Sequence, residues 1–379
     1  MTDHPDRPTL TSLRARIDAI DHELIELLAR RMGVVSELSQ VKRAEGLRVR
    51  DSARERVILD DRAEYGARHD LSRELIESIF RVIMQASREH QAELKVEVPI
   101  QVEPKTIAII GGEGAMGRRL AEMFRGLGHQ VLSADLGTAL SAIEAAQQAD
   151  VTLIAVPIRA TAQVIDAVGP HVPEHGLLMD VTSLKQAPLA QMLRATRASV
   201  LGTHPMFGPG VHTLQGQRVV LCQGRGSAWA EWAEQNLRAC GLAVSHASAE
   251  EHDRAMAFVQ VLTHFQTQVL GLTLARVGGK LEDSLRFTSP AYLIELYVAA
   301  RHFAQDPALY GPIEMENPRT AEVTDAFRQA AESLEAVLAA RDQAAFERLF
   351  QEVRAFFGEF SAEATEQGGY LIDRLVERS

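Results

Sequence analysis

The stretch TIAIIGGEGAMG, residues 106–117, joins a short apolar run to three closely spaced glycines. Such a run is typical of a buried strand, and Gly112-x-Gly114-x-x-Gly117 follows it directly. In this spacing the first glycine permits a tight turn, the second lets the backbone approach a pyrophosphate, and the third allows close packing of helix on strand. The stretch therefore predicts a Rossmann-type strand, turn and helix, whose unpaired helix N–H groups face an anion.

An acidic residue follows at a distance that suits dinucleotide binding. Asp135 comes directly after the next predicted strand, residues 129–134, and lies 21 positions beyond Gly114. A carboxylate there accepts hydrogen bonds from a ribose 2′-hydroxyl and repels a 2′-phosphate, so the pattern favours NAD over NADP. The alternative is a tight turn of the same shape whose ligand site has been lost.

Further apolar runs alternate with helical patterns downstream of this motif. They predict strands at 151–156, 177–181 and 199–203. Strands that alternate with helices favour a parallel, doubly wound sheet. From about Glu250 the pattern is helical with no clear strand. We therefore predict an α/β Rossmann-type dinucleotide-binding domain at 105–249 and an all-α substrate and dimerisation domain at 250–379.

The chain before the motif is predicted to be a three-helix, all-α domain, residues 1–91. Apolar residues recur every three or four positions from Leu10 to about Ala44, with Thr9 or Thr11 as the N-cap and Gly46 at the end. Further helices are predicted at 51–68 and 72–91, and a proline-containing linker at 92–104. The first helix, about 50 Å long at ~1.5 Å per residue, cannot bury its stripe in a compact monomer, which predicts an intertwined homodimer.

Composition excludes several classes of protein. The 379 residues are 46% apolar and 24% charged, and the net charge of −11 disfavours nucleic-acid binding. No apolar run reaches the ~18 residues of a membrane span, and residues 1–5 show no secretory n-region. Two cysteines, Cys222 and Cys240, fit a reducing compartment. These features predict a cytoplasmic enzyme acting on small molecules, with no nucleic-acid, membrane or metal partner.

A set of polar residues on the first three helices is a second candidate site. Arg31 and Lys42 share a helix face because eleven residues turn an α-helix by about 20° beyond full turns. Arg14 points elsewhere on that helix, so it serves the same pocket only from a partner chain. Taken singly, each residue is an ordinary surface side chain. The set is Arg14, Arg31, Lys42, Asp51, Arg54, Glu55, Ser87 and Gln91.

Residues 10–91 resemble the all-helical chorismate mutase domain. The resemblance is carried by Leu13-Arg14-x-x-Ile17-Asp18, Arg31, Val41-Lys42, Val49-Arg50-Asp51-x-x-Arg54-Glu55-Arg56 and Ser87-x-x-x-Gln91. It implies that three arginines (14, 31 and 54) hold the two substrate carboxylates. Lys42 and Gln91 then face the ether oxygen, where negative charge develops, while Asp51 and Glu55 fix a hydroxyl or the neighbouring cations. Ser87 belongs to the same implied pocket.

A histidine follows the predicted strand 199–203. His204-Pro205-Met206-Phe207-Gly208-Pro209 is expected to be a rigid loop at the carboxyl end of that strand, where open α/β sheets bind ligands. Imidazole titrates near neutral pH, which suits a group that accepts a proton while hydride leaves an alcohol.

With the glycine motif, this segment resembles prephenate dehydrogenase. The resemblance continues through Val156-Pro157-Ile158, Asp180-Val181-Thr182-Ser183-Leu184-Lys185, Glu251-His252-Asp253-x-x-Met256-Ala257-Phe258, Ser289-Pro290-x-Tyr292 and Arg301-x-Phe303-Ala304-Gln305-Asp306-Pro307-x-Leu309-Tyr310. It implies that NAD lies against Gly112, Gly114, Met116, Gly117, Asp135, Val156 and Pro157.

The same resemblance implies roles around the substrate. His204 takes the proton of the ring hydroxyl, Ser183 orients His204, and Arg301 clamps a carboxylate. His264 either lines this pocket or is a core histidine, and Lys185 is either structural or a cofactor contact. The chain departs from the pattern at position 293, where leucine stands in place of an arginine that relatives can carry.

The order of the two resemblances is that of the bifunctional chorismate mutase/prephenate dehydrogenases. It implies conversion of chorismate through prephenate to 4-hydroxyphenylpyruvate, and L-tyrosine as feedback inhibitor. One alternative is a monofunctional prephenate or arogenate dehydrogenase whose helical module is an inert dimerisation or regulatory element. Another is a non-catalytic dinucleotide sensor.

Overall fold

The computed structural model describes residues 9–44, 52–93, 103–278 and 280–376. The predicted helix end at Gly46, the site residue Asp51, residues 1–5 and most of the linker 92–104 lie outside these ranges. The helices and strands of the N-terminal and central parts are α1 Leu10–Ala44, α2 Ser52–Ala67, α3 Arg73–Glu93, β1 Thr106–Ile110, α4 Ala115–Gly126, β2 Gln130–Ala134, α5 Ala142–Gln148, β3 Val151–Ile154, α6 Ile158–Val168, a 3₁₀ turn Gly169–His171, β4 Leu177–Asp180, α7 Gln186–Ala195, β5 Ser199–Pro205, β6 Arg218–Arg225, α8 Ser227–Ala239 and β7 Ala243–His246.

The remainder of the described chain is helical. Its elements are α9 Ala249–Met256, a π-helical segment Ala257–Leu262, α10 Thr263–Val277, α11 Leu281–Arg286, α12 Pro290–Phe303, α13 Pro307–Met315, α14 Thr320–Ala340, α15 Gln343–Phe357 and α16 Phe360–Val376. The predicted fold class, a helical domain, an α/β domain and a second helical domain, is confirmed. No helix in the described ranges is long and apolar enough to cross a membrane.

Helix α1 has one of its two predicted N-cap residues, and its apolar stripe is exposed. The hydroxyl of Thr9 accepts a hydrogen bond from the backbone N–H of Ser12 at 3.1 Å, so Thr9 is the N-cap rather than Thr11. Beyond it Ile17, Ile20 and Leu24 are each more than half exposed. A single chain therefore leaves this apolar stripe exposed. An exposed stripe of this length supports the predicted dimer, in which a second chain would cover it.

The central sheet has seven strands in the order β2-β1-β3-β4-β5-β6-β7. Neighbours are parallel except β5 and β6, which pair antiparallel. The predicted parallel pairing is confirmed for the predicted strands β1 to β5, whereas β6 and β7 were not predicted individually and β6 departs from the parallel pattern. Strand direction depends on how the connection 206–217 turns back, which the apolar pattern of β6 does not encode.

Strand β5 also runs further than predicted. It continues through His204 and Pro205, and His204 pairs with Val220 on β6. The prediction that His204 lies on a loop beyond the strand was therefore wrong. The ladder to β6 fixes the backbone of this histidine more firmly than a loop would.

Strand order places the carboxyl ends of five parallel strands, β1 to β5, along one edge of the sheet. The chain leaves β1 for β2 on one side and then returns to β3 on the other, so a topological switch point lies between β1 and β3. Open α/β sheets bind ligands in the crevice at such a point. Strands β3, β4 and β5 follow in order, and at about 4.8 Å per strand β5 lies ~14 Å from β1.

Candidate functional site

The glycine-rich loop is too tightly packed to accept side chains. A methyl group built on Gly117 overlaps the carbonyl oxygen of Gly111, and one on Gly112 lies 2.8 Å from Cβ of Ser133. Gly114 is the N-cap of α4 and provides no side-chain cap, so the first N–H groups of the helix are left for a ligand. This bare, narrow turn at a helix N-terminus fits the pyrophosphate of a dinucleotide.

The other predicted cofactor contacts surround this loop. The Asp135 carboxylate accepts hydrogen bonds from the backbone N–H of Glu113 at 3.0 Å and of Leu136 at 2.7 Å. Val156 lies across the loop, with its Cγ1 3.0 Å from a methyl group built on Gly111. Pro157 is the N-cap of α6, and Met116 packs half-buried against the core of the sheet. The structure thus brings Asp135 and Val156 together at the glycine loop.

Replacement of Gly117 by alanine tests this packing. Because the new methyl group overlaps Gly111, we expect Gly117→Ala to force the helix away from β1 and weaken NAD⁺ binding at least about tenfold. Isothermal titration with NAD⁺ measures this. Gly126→Ala is the matched control, since Gly126 lies in the same helix with nothing within 4 Å of an added methyl group. Equal NAD⁺ affinity in both variants would contradict the assignment of the loop.

His204 is buried at the carboxyl edge of the sheet, with 3% of its surface exposed. Its Nδ1 lies 2.8 Å from Nε2 of His252, and its Nε2 lies 3.4 Å from the side-chain nitrogen of Gln260. Burial, followed by the nearby Lys185 ammonium and His252, holds the pKa of His204 well below its usual value. The ring is therefore neutral at pH 7 and able to accept a proton.

A buried ion pair contacts the backbone of Thr203, the residue before His204. The Lys185 ammonium contacts the Asp180 carboxylate and donates a 2.7 Å hydrogen bond to the carbonyl oxygen of Thr203. Both charged side chains are fully buried. Of the two roles considered for Lys185, these bonds support the structural one, because the side chain links β4 to β5. The positive charge of Lys185 also helps to lower the pKa of His204.

Helix α9 contributes His252 and Asp253 to this site, which were part of the family resemblance but had no role predicted for them. Nδ1 of His252 lies 2.8 Å from Oδ1 of Asp253. The same carboxylate accepts the backbone N–H groups of Lys185 at 2.8 Å and Gln186 at 2.9 Å, at the start of α7. The stretch Glu251-His252-Asp253 was visible in the sequence as part of the resemblance, but it gave no indication of a contact with His204.

Ser183 is half-buried on the loop after β4. Within the described ranges no hydrogen bond joins it to His204, whose two ring nitrogens face His252 and Gln260 instead. The orienting role of Ser183 stays a prediction.

Gln260 belongs to a π-helical segment at 257–262 that leads directly into α10. Such segments are rare and concentrate at functional sites. The side-chain oxygen of Gln260 is buried and has no hydrogen-bond partner among the described residues. Gln260 thus presents an unused acceptor beside the base.

His264, four residues further along this continuous helix, lies in a polar and aromatic cluster. Its ring centroid is 4.8 Å from that of Tyr310 and 5.4 Å from that of His302, and its Nδ1 is 3.7 Å from Glu314. Burial, with a smaller contribution from His302, lowers the pKa of His264 to about 4. Burial raises the pKa of Glu314, although a hydrogen bond from Gln268 opposes the shift. His264 is therefore a neutral ring at pH 7, packed in the helical domain.

Arg301 and Leu293 both lie on α12. Arg301 is exposed, whereas its neighbour His302 faces the cluster around His264. Leu293 is half-buried. In the described ranges no contact joins Arg301 to His264, so its role as a carboxylate clamp stays a prediction.

The helical domain brings two of its predicted site residues together. The guanidinium of Arg31 on α1 donates a hydrogen bond to the hydroxyl of Ser87 on α3, and Ser87 is buried. Burial, and then the charge of Arg62, lowers the pKa of Arg31. Over the ranges that the structure describes, no carboxylate pairs with Arg31. The arrangement leaves a half-buried cation for an anionic ligand.

The other members of this set are less completely placed. Arg14 and Arg54 are exposed and Glu55 is half-buried, each on the helix predicted for it. Lys42 and Gln91 lie on α1 and α3, and their side chains are outside the described part of the structure. The roles implied for all five stay predictions.

A bare glycine loop and a buried neutral histidine on one sheet edge define a nucleotide-dependent dehydrogenase, here preceded by a helical domain. Three family models match the chain: Chorismate mutase type II at residues 13–92, the nucleotide-binding domain of prephenate dehydrogenase at 120–245, and its dimerization domain at 248–352.

Two curated relatives match nearly the whole chain. The T-protein of Haemophilus influenzae is 33% identical over 365 residues, 96% of this chain and 97% of that protein. The T-protein of Enterobacter agglomerans is 36% identical over 352 residues, 92% and 93% of the two chains. The chain belongs to the T-protein family, the bifunctional chorismate mutase/prephenate dehydrogenases.

A solved structure shares the fold of the dehydrogenase part. The prephenate dehydrogenase of Aquifex aeolicus, in complex with hydroxyphenyl propionate and NAD⁺, superposes with a TM-score of 0.56 at 18% identity. The match covers 66% of this chain and 96% of that one.

Proposed function

We propose that this protein rearranges chorismate to prephenate in its helical domain and then oxidises prephenate with NAD⁺ to 4-hydroxyphenylpyruvate. The observation that carries the dehydrogenase half is the neutral, buried His204 on the same sheet edge as the glycine loop. Membership of the T-protein family supports both halves.

In the oxidation, Gly112, Gly114 and Gly117 hold the pyrophosphate of NAD⁺ and Asp135 holds the ribose hydroxyls. When bound, NAD⁺ supplies the acceptor for a hydride. Nε2 of His204 takes the proton of the ring 4-hydroxyl, and Arg301 orients the substrate through a carboxylate. Carbon dioxide then leaves because its loss makes the ring aromatic.

In the rearrangement, Arg31 and Arg54 of one chain and Arg14 of the partner subunit hold the two carboxylates of chorismate. Lys42 and Gln91 stabilise the negative charge that develops on the ether oxygen. No covalent step is needed, since orientation and electrostatics lower the barrier. The partner's contribution requires a homodimer, which the exposed stripe of α1 and the match to a dimerization domain support.

A cytoplasmic location completes the proposal. Both Cys222 and Cys240 are free thiols, as expected in a reducing compartment that supplies NAD⁺.

Separate assays of the two half-reactions test this proposal. Purified protein should consume chorismate without NAD⁺, and should form NADH when prephenate and NAD⁺ are added. NADH without chorismate consumption would identify a dehydrogenase carrying an inert helical module. Activity with arogenate but not prephenate would contradict the proposed substrate.

We further propose that L-tyrosine, the end product of the pathway, inhibits because it resembles the substrate and competes for the pocket near Arg301 and His264. Rising tyrosine should raise the KM for prephenate at constant kcat and leave chorismate consumption unchanged. NADH formation that does not respond to tyrosine would remove this part of the proposal.

A further inference from the structure

The hydrogen bonds around His204 continue into the protein on the side away from Gln260. They run from Nδ1 of His204 to Nε2 of His252 at 2.8 Å, and from Nδ1 of His252 to Oδ1 of Asp253 at 2.8 Å. All three side chains are buried, with at most 3% of each residue exposed. A buried chain of this kind has few alternative arrangements, because each group must keep a partner.

Asp253, at the end of this series of hydrogen bonds, determines which group donates and which accepts in each bond. Burial alone would raise the pKa of Asp253, but hydrogen bonds from His252, Gln186 and Lys185 outweigh it and lower the pKa. Asp253 is thus a carboxylate at neutral pH and can only accept. His252 must therefore carry its proton on Nδ1, and its Nε2 accepts from Nδ1–H of His204. The lone pair of His204 is left on Nε2.

We propose that His252 and Asp253 are positioning residues for the oxidation, which hold His204 in the tautomer whose Nε2 is ready to accept the substrate's proton. The inference rests on the proposed dehydrogenase function. In the step, the hydroxyl proton would bind to Nε2 of His204, the electrons of the O–H bond would form the carbonyl bond, and the hydrogen on the same carbon would leave with its bonding electrons as hydride to NAD⁺. The imidazolium so formed keeps its Nδ1–H donated to His252.

Two charged side chains, Lys185 and Asp253, act on His204, the second of them through His252. Lys185, paired with Asp180, disfavours the imidazolium, as a protonated His252 would, whereas the neutral His252 of this arrangement acts as a hydrogen-bond acceptor. Asp253 on α9 favours the imidazolium through His252. On β6, burial raises the pKa of the Cys222 thiol to about 12, so this group stays neutral. When His204 takes up a proton, the hydrogen bond from its Nδ1–H to Nε2 of His252 stabilises the imidazolium. This bond therefore offsets the unfavourable effect of the Lys185 charge.

Two substitutions of His252 separate positioning from packing. In His252→Gln the amide oxygen reaches the place of Nε2 and can accept from His204, whereas in His252→Asn the side chain is too short. We expect His252→Asn to lower dehydrogenase kcat about 10²-fold, with the KM values for prephenate and NAD⁺ within about threefold. The dehydrogenase kcat of His252→Gln should be at least about tenfold higher than that of His252→Asn.

The pH profile gives an independent readout. Without its acceptor the imidazolium of His204 is less stable, so the acid limb of kcat/KM should move to lower pH in His252→Asn and return in His252→Gln. His246→Asn is the matched control, since His246 is an exposed histidine that also contacts a carboxylate, Glu234 at 3.0 Å. Its activity and profile should equal those of the wild type.

Three results would overturn the inference: wild-type kcat in His252→Asn, equal impairment of both variants with an unshifted acid limb, or the Nε2–H tautomer of His204 in the wild-type protein. The tautomer is read by NMR of isotope-labelled histidine nitrogens and does not depend on how the variants fold. A wild-type protein that forms no NADH from prephenate would instead refute the proposed function itself.

Discussion

We expect His204→Asn to remove NADH formation from prephenate, with a fall in kcat of about 10³- to 10⁴-fold. The reason is the loss of the imidazole that we propose accepts the hydroxyl proton, since Nε2 of His204 has no partner closer than the Gln260 side chain at 3.4 Å among the described residues. Steady-state NADH formation measures the effect. Because the glycine loop lies on β1, about three strands away, NAD⁺ affinity should stay within about twofold of the wild type.

Two controls accompany this variant. His246→Asn should behave as wild type, since His246 is exposed on β7. Chorismate consumption by His204→Asn should also be unchanged, because the helical domain carries that reaction. Appreciable NADH formation by His204→Asn would contradict the role given to His204.

The second large effect is expected from Arg31→Ala, which should lower mutase kcat/KM by about 10³-fold. The substitution removes a half-buried guanidinium that is held by Ser87 and has no carboxylate partner in the described ranges. Loss of chorismate measures the change. Arg31→Lys should restore little, because an ammonium lacks the planar fork that binds a carboxylate through two hydrogen bonds.

Arg30→Ala is the matched control for this substitution. Arg30 is the neighbouring arginine on the same helix and is exposed, so its removal should leave mutase activity within about twofold of the wild type. NADH formation from added prephenate should be normal in all three arginine variants. Wild-type mutase activity in Arg31→Ala would contradict the carboxylate-binding role given to Arg31.

Local features of the fold were predictable because local sequence determines them. The glycine spacing at 112–117 encodes a turn that only small residues can form, and the structure shows that turn packed against Gly111 and Ser133. The stripe along residues 10–44 encodes a long helix, and α1 has those bounds. That Arg31 and Ser87 belong to one pocket followed from the family resemblance, whereas their direct hydrogen bond was not predicted.

The surroundings of His204 were not predictable in the same way. His252 lies 48 residues further along the chain and meets His204 only because α9 packs across the end of the sheet. The extension of β5 through His204 depends on the antiparallel partner β6, whose direction no apolar pattern specifies. Contacts between distant segments arise from the packing of whole elements, so a motif search names the base but not the residues that orient it.

The most direct test of the bifunctional assignment supplies purified protein with chorismate and NAD⁺ alone and follows the appearance of NADH. Both sites must work in sequence for any signal, because chorismate becomes a substrate for the dehydrogenase only after rearrangement. We predict steady NADH formation that disappears in either Arg31→Ala or His204→Asn. No NADH from chorismate, under conditions where added prephenate is oxidised, would contradict the claim that this chain carries both activities.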